Sequence, residues 1–340
     1  MADRATGYKT TALAESIRGR REFLRGLAAA GASFSLAATT GCSQSSGEDR
    51  GTSPKRIRIG YQKSSALLNL LRDRKVLEAR LAPQLTVEWT EFSAGPQLLE
   101  GINVGSIDFG HGGEAPPVFA QAAGVPMLYV AAEQHGPNAE AILVRRDSPL
   151  KSVVELKGKR VALNRGSNVH YFLVKALESA GLDYDAIEAV YLPPADARAA
   201  FESGSIDAWA IWDPYYALVE GTGECRLLVD GTGLVENRGF FYAARDFVSR
   251  QPDAIRTVIA ELATIADWAA GHRPEVANFL AKQLGMELAV LEACEHRRHY
   301  GLRPIDEAVV AYQQNVADTF LRVGLIPQPI RVADAIWNAG

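Results

Sequence analysis

The sequence predicts an α/β protein of two similar lobes, each a doubly wound mixed sheet flanked by helices, joined by a two-crossover hinge. Three observations carry that expectation. From Lys55 onward short β-branched runs alternate with helical segments, the pattern of mostly parallel strands linked by helices. Gly105-Ser106-Ile107-Asp108 recurs as Gly204-Ser205-Ile206-Asp207, each copy behind a helical stretch, as an internal duplication of the architecture requires. Two stretches also read as passages between lobes, Ala141–Val144 ahead of Asp147-Ser148-Pro149, and Asp230 to Phe241, which is Gly-rich and leads into Phe240-Phe241-Tyr242-Ala243.

Taken in order, the predicted strands are Arg56–Tyr61, Thr86–Phe92, Phe109–Gly110, Leu128–Ala131, Ala141–Val144, Arg160–Asn164, Ala189–Leu192 and Ala208–Ile211. Each is a short apolar or β-branched run bounded by Gly, Pro, Ser or Asn. Between them, Ser65–Arg80, Pro96–Val104, Ala115–Ala123, Asn168–Ala180 and Ala195–Glu202 carry helical periodicity, and Gln251 to Trp337 reads as almost entirely helical. Ile57-Arg58-Ile59 enters the turn Gln62-Lys63-Ser64, and Val161-Ala162-Leu163 enters Gly166-Ser167-Asn168, so the two halves repeat strand, polar turn and helix. The expected first lobe is 55–143 with 238–340, and the second is 144–237.

Composition narrows the function. The chain has 340 residues, 36 Lys+Arg against 40 Asp+Glu, 47% hydrophobic residues and 3 Cys. That excludes a disulfide framework, a collagen-like fibre and a largely disordered chain. With no basic block beyond the first residues, nucleic acid is not an expected partner. No apolar run reaches the roughly 18 residues of a membrane span. Residues 1–42 read as an export signal: Arg20-Arg21-Glu22-Phe23-Leu24 resembles a twin-arginine address, followed by a small-residue apolar stretch. Thr39-Thr40-Gly41-Cys42 either makes Cys42 an acylated residue or gives way to cleavage near Ala38. Residues 43–54 are a Ser/Gly-rich flexible linker.

In open α/β sheets ligands sit outside the carboxyl ends of the strands, so the strand-to-helix turns nominate the site. Gln62, Ser64, Gly95, Pro96, Gly113 and Glu114 come from the first lobe, and Asn164, Gly166, Ser167, Asn168, Trp212 and Asp213 from the second. Most stand at helix N-termini, where free amides and the helix dipole favour an anion. Tyr61, His111, Tyr171, Trp212 and Tyr215 lie at or beside the same turns, which suits a small organic acid with an apolar body.

Several stretches carry a specific resemblance: Gly60-Tyr61-Gln62-Lys63, Glu88-Trp89-Thr90-Glu91-Phe92-Ser93-Ala94-Gly95-Pro96-Gln97-Leu98-Leu99-Glu100, Gly113-Glu114-Ala115-Pro116-Pro117, Leu163 to Tyr171, and Leu192 to Phe201 ending in Trp212-Asp213-Pro214. Over most of residues 55 to 245 the chain resembles the aliphatic sulfonate-binding proteins of bacterial ABC importers. The resemblance implies a type II periplasmic binding fold, an organic sulfonate in the cleft for sulfur acquisition, and delivery to ABC permease subunits with a separate ATPase. It also implies a monomer in the periplasm, with membrane contact only through the permease or a lipid anchor. Taurine, nitrate and other small anions stay open as alternatives. Where the family more often has Gly-Tyr-Thr-Gly-Glu, this chain has Gly110-His111-Gly112-Gly113-Glu114.

A sulfonate is ionised at every physiological pH, so backbone amides at Gly95, Gly166 and Ser167 and the side chains of Gln62, Asn164 and Ser167 suffice as neutral donors. Glu114 and Asp213 either cap helices and point away, or meet an amino group on a zwitterion such as taurine. No cofactor and no catalytic residue is expected. None of these turns holds a Cys, and His111 has no Ser or Cys partner in its own turn, which sets aside a desulfinase-type enzyme on the same scaffold. Cys294 and His296 would face opposite sides of a helix, which argues against a metal site with His299. Cys225 and Cys294 are the candidates for a disulfide, with their separation undetermined.

Overall fold

The computed structural model describes residues 55–338. The expected export signal, Cys42 and the linker lie outside the described residues. The first sheet contains β1 (Arg56–Tyr61), β2 (Thr86–Glu91), β3 (Phe109–Gly113), β4 (Met127–His135), β10 (Arg238–Ala244) and β11 (Leu302–Arg303), in the order β11-β4-β10-β3-β1-β2. The second contains β5 (Glu140–Arg145), β6 (Arg160–Leu163), β7 (Glu188–Tyr191), β8 (Ala208–Trp212) and β9 (Cys225–Asp230), in the order β7-β6-β8-β5-β9. In each sheet one strand, β1 or β6, pairs in parallel with both neighbours, and an antiparallel strand, β10 or β5, follows the third. β10 reaches the first sheet only after the chain has passed through the second, whereas β5 opens the unbroken run β5 to β9 that makes the second sheet.

The helices are α1 (Ala66–Asp73), α2 (Val76–Leu81), α3 (Gly95–Asn103), α4 (Ala115–Ala122), α5 (Asn168–Ser179), α6 (Pro194–Glu202) and α7 (Tyr215–Thr222), then α8 (Arg245–Arg250), α9 (Pro252–Gly271), α10 (Arg273–Leu284), α11 (Leu288–Arg297) and α12 (Glu307–Arg322). Ile57 and Ile59, which share one face of β1, are fully buried under the helices packed on it. The expected helix Ser65–Arg80 is two helices broken at Lys75, whose φ is 51°. A continuous helix would carry the stripe of Leu67, Leu70 and Leu71 onto Arg74 and Glu78; the break buries Leu77 and Leu81 instead.

Other differences have a common cause, which is pairing between residues distant in sequence. β3 runs on to Gly113, because β10 lies alongside with Gly239 opposite Gly113; His111–Gly113 are thus strand, not turn. Ala141–Val144 is not a passage between lobes: it is fully buried inside β5, between β8 and β9, and the chain changes sheets at Gly136–Ala139. Strand β9 was not expected, and β11 interrupts the helical C-terminal region. Cys225 and Cys294 are both free, which removes the disulfide. Cys225 opens β9 in the second sheet, whereas Cys294 is buried among first-lobe side chains in α11.

The repeated tetrapeptide has one physical role in both copies. Gly105 (φ 68°) and Gly204 (φ 74°) take the left-handed conformation that ends a helix. Ser106 and Ser205 then donate their N–H back to Gly101 and Ala200, each at 2.8 Å. Ile107 and Ile206 are buried. Asp108 accepts from the Arg58 N–H at 2.9 Å and Asp207 from the Arg160 N–H at 2.8 Å, tying each third strand to the start of the first. Asp108 is buried and also receives Arg58 Nε at 2.8 Å and Nη2 at 2.6 Å, while Asp207 is a third exposed. Replacing Asp108 by Ala should therefore cost about 3 kcal/mol against about 1 kcal/mol for Asp207→Ala. Urea unfolding of the two variants checks the order; equal losses would contradict it.

Candidate ligand-binding cleft

The carboxyl ends of both sets of parallel strands face a cavity of about 150 Å³. Eight of the twelve residues nominated from sequence line it: Gln62, Ser64, Gly95, Gly113, Ser167, Asn168, Trp212 and Asp213. The N-termini of α3 and α5 are at its wall, so their first amides supply donors from both lobes. Pro96, Asn164, Gly166 and Glu114 do not line it. Pro96 starts α3 behind Gly95, where its fixed φ suits a first turn. The Asn164 carbonyl accepts from Ser167 Oγ at 2.6 Å, and Gly166 (φ 73°) donates its N–H to His170 Nδ1 at 3.1 Å. Both shape the turn that presents Ser167 and Asn168.

Glu114 points away from the cleft, as one of the two sequence readings held, but not as a helix cap. It neither caps α4 with its side chain nor reaches the cleft. Fully buried, it accepts from the Arg238 N–H at 2.8 Å and from Tyr312 Oη at 3.1 Å, so it ties the start of α4 to β10 and α12. Burial, only partly offset by these bonds, pushes its carboxyl up to about 7. Asp213 lines the cleft and also accepts from the Ala217 N–H in the first turn of α7 at 3.1 Å. Its carboxylate is shared with Arg297, at 3.0 and 3.2 Å.

Several cleft residues were not nominated. His111, read only as an aromatic neighbour, lines the cavity with Nε2 2.7 Å from Glu133 Oε2 and Nδ1 2.7 Å from Ser65 Oγ. Its serine partner comes from a different turn, which no local pattern could reveal. Glu133 lies in β4, beyond the predicted strand end, and Asn237 lies in the second crossover. Arg297, Arg298 and Tyr300 arrive from the C-terminal helices, more than eighty residues from the nearest nominated turn.

Contacts across the cleft bring the lobes together. Asn168 Oδ1 accepts from the Ala115 N–H of α4 at 3.1 Å, and its Nδ2 donates to Asn237 Oδ1 at 2.7 Å. Arg297 of α11 pairs with Asp213 and Glu220, with its guanidinium 3.9 Å from the centre of the Tyr216 ring. Gly113 makes the approach of Asn168 possible: a Cβ there would stand 2.0 Å from Asn168 Oδ1. Behind the cleft, Phe119 of α4, Phe320 of α12 and His170 and Tyr171 of α5 form one aromatic cluster, so the apolar core is continuous between lobes on that flank.

Gly113→Ala should hold the lobes apart, raising the radius of gyration in small-angle scattering, and Asn168→Ala on the same chain should restore it. An unchanged radius in the single variant would refute the role given to Gly113. For Glu114, a raised value means stability that is full below the ordinary 4.5 and lost as pH rises through about 7. Wild type should thus lose on the order of 3 kcal/mol relative to Glu114→Gln between about pH 5 and about pH 8. Parallel pH profiles of chemical unfolding would refute this.

A model of the NMT1-like family matches residues 53–285. An Escherichia coli (strain K12) protein named for binding aliphatic sulfonates is 42% identical over 288 residues, 84% of this chain and 90% of that protein. A Bacillus subtilis (strain 168) protein of the same name is 31% identical over 286 residues, 84% of this chain and 86% of that one. The solved structure of the alkanesulfonate-binding protein SsuA from Xanthomonas axonopodis pv. citri, bound to MOPS, superposes with a TM-score of 0.81 at 41% identity. It covers 84% of this chain and 99% of that one, so the two-lobed periplasmic binding protein fold is common to both. With a family match over most of its length and relatives of this identity, the chain belongs to the NMT1-like family, among the aliphatic sulfonate-binding proteins.

Proposed function

We propose that the chain is an extracytoplasmic solute-binding protein that captures an organic sulfonate between its lobes and delivers it to an ABC permease powered by a separate ATPase. The observation that carries this reading is the convergence of two helix N-termini, from α3 and α5, on one cavity lined by neutral donors. Such donors match an anion that never takes up a proton, since dipoles and amides stabilise charge without one. Gly95, Ser64, Ser167 and Asn168 are the groups proposed to hold the sulfonate, with Trp212 beside its organic part. A ligand touching both lobes favours the closed form by its differential affinity, and closure is what a permease would read.

Binding rather than catalysis is supported by the position of the candidate nucleophile. Ser65 Oγ bonds His111 but is buried and lies outside the cavity lining, so an acyl or sulfinate group in the cleft would not meet it. The relatives' names as binding proteins point the same way. Export through the twin-arginine-like segment to the periplasm, as a monomer either anchored by an acylated Cys42 or freed by cleavage near Ala38, completes the proposal.

Calorimetric titration with alkanesulfonates, taurine, sulfate and nitrate tests it. The expected result is micromolar binding, about -8 kcal/mol, to one or more organic sulfonates, with sulfate and nitrate at least about a hundred-fold weaker. Binding confined to nitrate or sulfate, or absent throughout, would overturn the substrate assignment.

A further inference from the structure

Two carboxylates line the cleft, and they differ in what they have left to offer. Both oxygens of Asp213 face Arg297, and one also accepts from the Ala217 N–H. Glu133 Oε2 is bonded to His111, whereas Oε1 forms no hydrogen bond among the described residues. The neighbouring cation does not supply one. Arg298 gives Nε to Glu295 at 3.1 Å and Nη1 to the Ser64 carbonyl at 3.1 Å. Burial alone would push the Glu133 carboxyl up, but the charge and hydrogen bond of His111 and the charge of Arg298 outweigh it and hold the group below its ordinary value. Glu133 is thus a fixed anion with a spare acceptor, built into the wall of an anion-binding cavity.

We propose that this cleft selects sulfonates whose tail carries a hydrogen-bond donor, an ammonium above all, with Glu133 Oε1 as the acceptor. The inference rests on the sulfonate reading of the site and deepens it. Closing the lobes over a plain alkyl tail would strip water from an ionised oxygen and return no hydrogen bond, which is the costly outcome for a buried polar group. A donor on the tail replaces that water, and a cationic donor adds attraction in a partly desolvated site. The two ends are close: Gln62, proposed at the anion end, donates Nε2 to the His111 carbonyl at 2.8 Å, and the ring of His111 reaches Glu133. The tail that spans them is short. Of the acidic residues first weighed for an amino group, Glu114 is turned away and Asp213 is occupied, so Glu133 takes that role.

The test compares butanesulfonate with aminopropanesulfonate, its isostere in which an ammonium replaces the terminal methyl, by calorimetry on the full chain at neutral pH. Wild type should bind the amino compound at least about ten-fold tighter. Glu133→Gln should collapse that ratio to within about two-fold, with circular dichroism reporting that the variant is folded. Glu133→Asp keeps the charge but withdraws it, and should leave an intermediate ratio, which decides the matter if the Gln variant does not fold. A wild-type ratio near one or favouring butanesulfonate would overturn the inference, as would an equal loss for both ligands in Glu133→Gln. Wild type that binds neither sulfonate would instead defeat the sulfonate reading itself.

Discussion

The second sheet is built from the unbroken run β5 to β9, but the first is completed only when the chain returns from that sheet as β10. β10 lies between β3 and β4, and β5 lies between β8 and β9, each antiparallel to both neighbours. Because a strand inside a sheet must satisfy its backbone groups on both sides, the first lobe cannot complete its sheet until β10 has returned from the second. The crossovers at Gly136–Ala139 and near Gly231–Asn237 are therefore short, paired and fixed in place, and the parallel strands of both lobes end at one cleft.

That geometry explains where polarity is spent. The cleft is walled by the N-termini of α3 and α5, while charged groups are mostly committed to each other. Arg297 serves two carboxylates and an aromatic ring, so it closes the cleft without offering an unpaired charge to a ligand. Near the first crossover the molecule accepts a cost: Glu140 opens β5 with neither carboxyl oxygen hydrogen-bonded, and burial together with the charge of Glu114 pushes its carboxyl well up. Such a group favours its neutral acid form, the less expensive state for an unpartnered carboxyl in an apolar setting.

Much of the architecture was legible because it is written in local periodicity. The tetrapeptide of Gly105 to Asp108 and its copy from Gly204 to Asp207 marked the duplication, and the structure shows both doing the same work, a left-handed helix end followed by an aspartate bonded to the start of the first strand. Turn residues such as Gln62, Gly95 and Asn168 were visible for the same reason, since a strand, a polar turn and a helix follow one another directly in the chain. The break at Lys75 was less visible, because each side of it is a good helix and the choice between Arg74 and Leu77 as the buried residue is made by the surface that α1 and α2 cover.

The sequence by itself determined the class, the repeat and the turns that carry helix N-termini into a cleft, because these depend on residues a few positions apart. Tertiary structure alone decided which carboxylates line the cleft. Glu114 follows one of the nominated turns, yet pairing of β3 with β10 buries it against Arg238 and Tyr312. Glu133, at the end of a strand with no motif around it, is brought to the cavity by the extension of β4 alongside β10 and held there by His111 of β3, on the other side of β10. Side-chain direction in a strand follows its register with its partner, and here the partners lie about a hundred residues away along the chain.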